Sequence, residues 1–402
     1  TKVADGIYLS EGLSNSFLIV TGAGRIVINT GMAFEAPVHK RNFDAVDSSP
    51  VRYIVLTQSH VDHVGGVELF RQEGTEVVAQ AGSVAFQTED AMLRPFRSSR
   101  SSFAFADAIE RWARHAKDLG GPAAPTQPVV EPTITFDNFY RFELGGTALE
   151  LLAVPGGETT ESCVVWLPDR RICLTGNLFS ALFGHFPNLA TIRGDRYRDA
   201  LRFIDSLERV RRLHPALLLV GHHGPVEGED LIQAELGRLR DAVAYVHEKT
   251  VEGMNAGKSL YEVMREVRLP PELEVGEGYG KVSWGVRAIW ENYTGWFQQR
   301  STTELYAVPY WSVHAELVEL AGGPDVVVRR ARARLDAGEP LEAIHLAEAA
   351  LAAAPAHAGA LGVLIAAHEA LLAESANFWE ASWLEFQIRR LRAALEQAEK
   401  QS

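Results

Sequence analysis

The sequence is poor in cysteine, in positive charge and in long apolar runs, and each shortage narrows what it can encode. Cysteine occurs twice in 402 residues, at Cys163 and Cys173, both within apolar, strand-like stretches. That argues against a disulfide framework and reads the pair as buried small hydrophobes. A cytoplasmic protein fits this reading, and an exported one that needs no bridges is not excluded by it. Lys and Arg total 39 against 52 Asp and Glu, a formal net charge of −13. Such a balance works against a phosphate-binding surface, so nucleic acid is not an expected partner. No run approaches the ~18 apolar residues of a membrane-spanning helix. The richest, Ala349 to Ala367, is broken by Pro355 and His357 and reads as packed helix. The chain opens at Thr1 with neither methionine nor an apolar leader, which leaves removal of an upstream segment as one reading.

What is present is ordinary globular material, 47% hydrophobic and 23% charged, in a chain too long for one core. β-rich runs cover Ser16–Val20, Arg25–Asn29 and Arg52–Thr57, with Gly22 and Gly24 marking a hairpin. Helix is expected at Gly65–Gln72. Strands return at Thr75–Ala79, Thr133–Phe136, Leu149–Val154, Cys163–Leu167, Arg171–Leu174 and Ala216–Val220. The intervening stretch 81–132 reads as an insertion, rich in Arg and Ser at Arg94, Arg97 and Arg100, closing in the loop-like Gly120–Pro125 and suited to a lid or to solvated surface. From Asp230 the pattern is helical. Trp284, Ile289, Trp290, Tyr293 and Trp296 fall mainly along one helix side and read as core. Residues 338–355 resemble part of one tetratricopeptide-like helical pair, with no array of repeats following. The expected fold is an α/β domain over 1–255 carrying the 81–132 insertion, an all-α domain over 256–375 used for packing or dimerisation, and a helical segment over 376–402.

Chemistry concentrates in loops that follow strands. Thr57-Gln58-Ser59-His60-Val61-Asp62-His63-Val64-Gly65-Gly66 stands where a strand gives way to a helix. Two imidazoles and a carboxylate within four residues are the donor types a divalent metal takes, and the glycines let the backbone turn tightly. Leu149–Val154 leads into Pro155-Gly156-Gly157-Glu158, and Ala216–Val220 into Gly221-His222-His223-Gly224-Pro225. Each is an apolar strand followed by a polar, glycine-bearing loop, the usual location of site residues on a rigid sheet.

These motifs resemble the metallo-β-lactamase superfamily, and within it the alkyl sulfatases. The resemblance rests on His60-Val61-Asp62-His63, on a glutamate in the Pro-Gly loop (Glu158), on His222-His223-Gly224-Pro225 and on Asn188-Leu189-Ala190-Thr191-Ile192-Arg193-Gly194. It extends through Leu269-Pro270-Pro271 and Gly278-Tyr279-Gly280 and covers most of the chain. It implies an αββα sandwich followed by a helical dimerisation domain, and a hydrolase acting on an alkyl sulfate or related anionic amphiphile through a metal-bound water. The implied metal ligands are His60, Asp62, His63, Glu158 and His222, with Gln58 in the slot of a further histidine. Asn188, Thr191 and Arg193 would hold the anionic head group, and Asp62, His185 and His223 are the candidate catalytic groups. Glu161 reads as a solvated loop residue.

Four departures accompany the resemblance. Gln58 replaces a histidine, Asn29 an aspartate and Trp284 a histidine, and Gly176-Asn177 lacks the acidic residue that would bridge two metals. One tightly held zinc is therefore expected, with a second weak or absent and iron or manganese as alternatives. Another metal-dependent reaction on the same fold (ester, lactone or thioester hydrolysis, or iron-based oxidation) is the competing enzymatic reading. A non-catalytic metal-binding or assembly protein is the third. A homodimer and a small anionic substrate with an apolar part are the expected partners. Gln58→His with Gly176→Glu would restore the family pattern and is expected to raise metal occupancy toward two.

Overall fold

Two β-sheets stack with their inner faces apolar, and central strands such as Gly24–Ile28, Cys163–Leu167 and Ile172–Gly176 are buried along their whole length. A computed structural model describes residues 1–118 and 128–401; the expected Gly120–Pro125 loop lies outside the described residues. The first sheet runs β1 (Lys2–Ala4), β2 (Ile7–Ser10), β3 (Ser16–Thr21), β4 (Gly24–Ile28), β5 (Val51–Val55), β6 (Glu76–Gln80) and β7 (Ile134–Phe136) in spatial order. It is antiparallel as far as β4 and parallel from β4 to β7. The second contains β8 (Phe139–Leu144), β9 (Thr147–Ala153), β10 (Cys163–Leu167), β11 (Ile172–Gly176), β12 (Leu217–Val220) and β13 (Val226–Glu227). There β11 and β12 pair in parallel.

Side-chain alternation sorts each strand between two layers. Ile26 and Ile28 join Leu149, Leu151, Cys163 and Val165 between the sheets, while Val27 faces a cluster with Phe43, Val64 and Phe70 from helices on the outer side of the first sheet. On the outer face of the second sheet, Val164 and Trp166 meet Phe203, Leu236, Val243 and Val286 from the helices Ala200–Arg211, Glu229–Asn255 and Val282–Thr294. The architecture is an αββα sandwich. Cys163 and Cys173 are free and buried in it, as small hydrophobes.

Several elements differ from expectation. Residues 81–132 hold one helix, Ser83–Asp118, with Pro95 inside it. The helix expected at 65–72 is two short turns, Val61–Val64 and Val67–Phe70, separated by the glycines. The aromatic stripe is core only in its middle: Ile289 is buried with half-buried Trp290 against it, Trp284 is half-buried, and Tyr293 and Trp296 are exposed.

The chain divides into two compact units, Thr1–Ser101 with Ala106–Tyr293, and Ser102–Phe105 with Thr294–Ser402. In the second, helices His314–Leu320, Pro324–Asp336, Pro340–Ala353, Ala358–Glu374 and Phe378–Gln401 pack in succession. Their core uses Ala331, Ala343, Ala347, Leu361, Leu364 and Leu391. The helical pair inferred from sequence is thus one step of a longer run, and alanine at the crossings lets the axes approach closely. Among the described residues, no helix is long and apolar enough to cross a membrane.

Candidate active site

The loops that follow β4, β5, β9, β11 and β12 gather at one end of the sandwich and are joined by backbone and amide hydrogen bonds. Asn29, with φ +57°, turns its amide onto Thr57: its Oδ1 accepts from Thr57 N at 2.9 Å and its Nδ2 donates to Thr57 Oγ1 at 2.9 Å. An amide here secures the residue preceding Gln58 without a carboxylate. Thr57 O accepts from Cys163 N at 2.7 Å, and Gly221 N donates to Gly176 O at 2.9 Å. Gly65 exists for close approach, since a Cβ there would collide with the backbone of Met32 and Ala33.

Within this frame Asp62, His63 and His222 bring ligand atoms within 4.8 Å of one another. His63 Nε2 lies 3.4 Å and His222 Nε2 3.9 Å from Asp62 Oδ2. Burial opposes the Asp62 charge, but His63, His60 and His222, with a hydrogen bond from Ser14, hold its carboxyl well below the usual range. Burial pushes His63 down to about 4, with Asp62 opposing, so at neutral pH its imidazole is neutral. A carboxylate and two imidazole nitrogens facing one point suit a divalent cation.

The neighbouring group is arranged otherwise. Gln58 Nε2 donates to His60 Nδ1 at 2.8 Å, and Glu158 Oε2 lies 3.7 Å from the same nitrogen. Glu158 also pairs with Arg198 at 3.3 Å and accepts from Asn177 Nδ2 at 3.2 Å. Burial opposes its charge, yet Arg198, His60 and Arg193 keep its pKa below the ordinary value. His60 is pushed down by burial and by Arg193. The structure thus brings Gln58, His60 and Glu158 together: His60 Nδ1 and the Glu158 carboxylate have protein partners, a guanidinium among them, whereas Gln58 Oε1 and His60 Nε2 are buried without a hydrogen bond among the described residues. The Arg198 guanidinium, 3.3 Å from Glu158, opposes a second cation beside that carboxylate.

Arg193 lies in the same electrostatic neighbourhood. Burial works against its charge, while Tyr279, Glu158, Asp195 and Asp62 support it. Asn188 and Arg198 are tied together, Arg198 Nη1 donating to the Asn188 carbonyl and Nε to the Glu158 carbonyl at 3.1 Å. Asn188 Oδ1, Thr191 Oγ1 and Arg198 Nη2 are buried and make no hydrogen bond among the described residues. His185 Nδ1 accepts from Gly278 N at 3.0 Å, which leaves Nε2 as its protonated nitrogen, and burial together with His223 lowers its pKa. His223 is exposed, with φ +63°.

Sequence reasoning missed several neighbours. Ser14 Oγ donates to Asp62 Oδ2 at 2.9 Å, and Asn15 Nδ2 donates to the carbonyls of Val220 and His223 at 2.9 and 2.7 Å. Glu161 is not a solvated loop residue: it is buried, accepts from Ser59 N at 3.0 Å, and burial raises its pKa. Burial and Glu158 raise the Tyr279 phenol. Tyr279 carried a signal, inside Gly278-Tyr279-Gly280, and so did Arg198, as a second arginine shortly after the Asn188–Gly194 motif.

The family model for the metallo-beta-lactamase superfamily matches residues 9–222, a span that contains all five histidine and carboxylate positions named above for metal binding. The chain belongs to the metallo-β-lactamase superfamily. A second family model, alkyl sulfatase dimerisation, matches residues 259–393. The chain is 29% identical over 330 residues to a linear primary-alkylsulfatase of a Pseudomonas species, spanning 78% of this chain and 62% of that protein. It is 27% identical over 402 residues to an (R)-specific secondary-alkylsulfatase, also from Pseudomonas, spanning 94% of this chain and 60% of that protein. A solved double mutant of the sec-alkyl sulfatase PisA1 superposes with a TM-score of 0.84 at 25% identity, over 98% of this chain and 65% of that one. The chain therefore spans about three fifths of the length of the curated relatives it matches.

Proposed function

We propose that this member of the superfamily hydrolyses alkyl sulfate esters with one divalent metal, zinc, held by Asp62, His63 and His222. The observation that carries the reading is a pair of buried donors without a hydrogen bond among the described residues, Thr191 Oγ1 and Arg198 Nη2. Buried polar groups are nearly always hydrogen-bonded, so open donors close to Arg193 suit an anionic ligand. The relatives named as alkylsulfatases give that anion its chemical class.

When bound, the metal would lower the pKa of water and polarise a substrate oxygen. The chain's own residues do the rest. Arg193 and Arg198 supply fixed positive charge for a tetrahedral sulfate, with the Asn188 amide and Thr191 hydroxyl completing its orientation. Ser14 fixes the Asp62 carboxylate, Thr57 and Glu161 fix the start of the Gln58–His63 loop, and Thr30 holds the His63 carbonyl at its end. His185, with Nε2 protonated and Nδ1 occupied by the Gly278 amide, can hand a hydrogen bond to a leaving oxygen, and exposed His223 can exchange protons with solvent. The purified chain is expected to release inorganic sulfate from a medium-chain alkyl sulfate and to contain about one metal per chain by elemental analysis. Sulfate release absent from a metal-loaded sample, with ester or lactone turnover present, would favour the competing reaction, to which the rebuilt Gln58–Arg198 network points.

The second unit leaves Trp296, Tyr306, Tyr310, Trp311, Leu317 and Leu320 exposed between 55% and 79%. Apolar patches of this kind mark interaction surfaces, and they fall inside the stretch matched by the dimerisation model. A second copy of the chain is the proposed occupant. Sedimentation of the full chain should give the mass of a dimer; a monomer at micromolar concentration would reject this.

A further inference from the structure

The Ser83–Asp118 helix contributes no proposed ligand, yet it grips the loop that carries Arg193. Arg100 Nε donates to the Arg193 carbonyl at 2.7 Å and Nη2 to the Ile192 carbonyl at 3.0 Å. The planar guanidinium thus spans two successive peptide groups, a geometry lysine cannot copy. One turn earlier, Arg97 pairs with Asp90 at 2.6 Å and with Asp195 at 3.3 Å, and Glu89 pairs with Arg196 at 2.7 Å. The loop is shaped to receive this grip. Gly194 has φ +89°, and a Cβ there would lie 2.7 Å from Arg100 Nε. Residues 192, 193, 195 and 196 are therefore all held from the helix, on either side of the guanidinium assigned to the head group.

We infer that this helix is a clamp on the anion-binding loop and that Arg100 is a positioning residue for Arg193 and Thr191. The inference rests on the sulfate reading of the site for its substrate readout, but the clamp itself does not. Exposed ion pairs such as Arg196–Glu89 contribute little alone; Arg100 differs because its two bonds fix backbone. If the held loop is the binding-competent one, releasing it lowers apparent affinity by the fraction of time the loop is out of place. Turnover of bound substrate changes little, because the bound anion itself selects the held loop.

The test compares wild type, Arg100→Ala and Arg100→Lys as full chains, all metal-loaded. Arg100→Ala should raise KM for a medium-chain alkyl sulfate and weaken competitive inhibition by inorganic sulfate about tenfold, with kcat within about twofold and metal content unchanged. Arg100→Lys should fall between. Amide exchange at Gly194, whose N–H donates to the Thr191 carbonyl at 3.0 Å, should accelerate in Arg100→Ala without any ligand. Gly194→Ala should cost less in the Arg100→Ala background than in wild type, because the added methyl no longer meets a guanidinium. Unchanged exchange in Arg100→Ala would overturn the clamp. Faster exchange with unchanged KM and sulfate inhibition would reduce Arg100 to a structural anchor and overturn its positioning role. A wild type that neither releases sulfate nor is inhibited by it would count against the sulfate reading instead, and exchange would then decide the clamp alone.

Discussion

His63→Ala and His222→Ala are each expected to abolish metal binding and hydrolysis together. Asp62, His63 and His222 are the compact donor group, with ligand atoms within 4.8 Å of one another. Removing one leaves two protein donors, too few for a metal that takes three in hydrolytic sites. Loss of an outer-shell partner alone typically costs about 10–100-fold in affinity or activity, so loss of a ligand should exceed that. His63 is also fully buried, and the cavity left by alanine adds a packing penalty on the order of 2 kcal/mol. Thermal unfolding of the metal-free proteins separates that penalty from ligand loss: His222→Ala, at a half-exposed position, should lose metal with little change in apo stability. Glu158→Ala should keep the metal, because Arg198 and Asn177 are the nearer partners of that carboxylate. Elemental analysis and sulfate release on the three variants decide it. Equal and total metal loss in all three would show one joined site where the geometry gives two groups.

Legibility of this chain in its sequence followed locality. Strands were readable as short β-rich runs bounded by turn residues, and the C-terminal half was readable as helix. The Gln58–Gly66, Glu158 and His222 loops were readable because each follows an apolar strand and each carries glycine. Two kinds of feature were not. Long-range partners such as Ser14, Asn15 and Glu161 reach the site only through tertiary folding, and nothing in Gly12-Leu13-Ser14-Asn15 distinguishes a metal-loop partner from an ordinary turn. The Ser83–Asp118 helix was hidden because Pro95 and its serine-rich middle lower local helix propensity, while ion pairs such as Arg97 with Asp195 hold it in place. The departures were visible in sequence, but their consequence was not. Gln58 reads as a lost ligand, whereas in three dimensions it is a hydrogen-bond partner of His60.

That network sets the second large expectation, which concerns restoring a two-metal site. Position 176 cannot take the glutamate that the family pattern suggests. Its φ is +51°, and a Cβ there would collide with the Thr57 side chain, which Asn29 holds fixed. Gly176→Glu should therefore destabilise the fold, by ~3 kcal/mol or more, combining left-handed strain with overpacking, and should disturb the Thr57–Gln58 turn without gaining metal. Gln58→His alone should also leave one metal per chain. His60, Glu158 and the new imidazole would supply three donors, but Arg198 sits 3.3 Å from the Glu158 carboxylate and would repel an incoming cation. Replacing it as well, in Gln58→His with Arg198→Met, removes that charge and leaves a buried carboxylate seeking one. Arg198→Met alone strands the carboxylate and should cost ~3–5 kcal/mol, whereas the double variant should recover stability when zinc is added, and its metal content should rise toward two. Denaturant unfolding with and without zinc, together with elemental analysis, follows both effects. A second metal gained by Gln58→His with Arg198 intact would show that the guanidinium does not hold the place of a cation. A double variant that stays at one metal, with no recovery of stability in zinc, would show that Arg198 is not what keeps a second metal out.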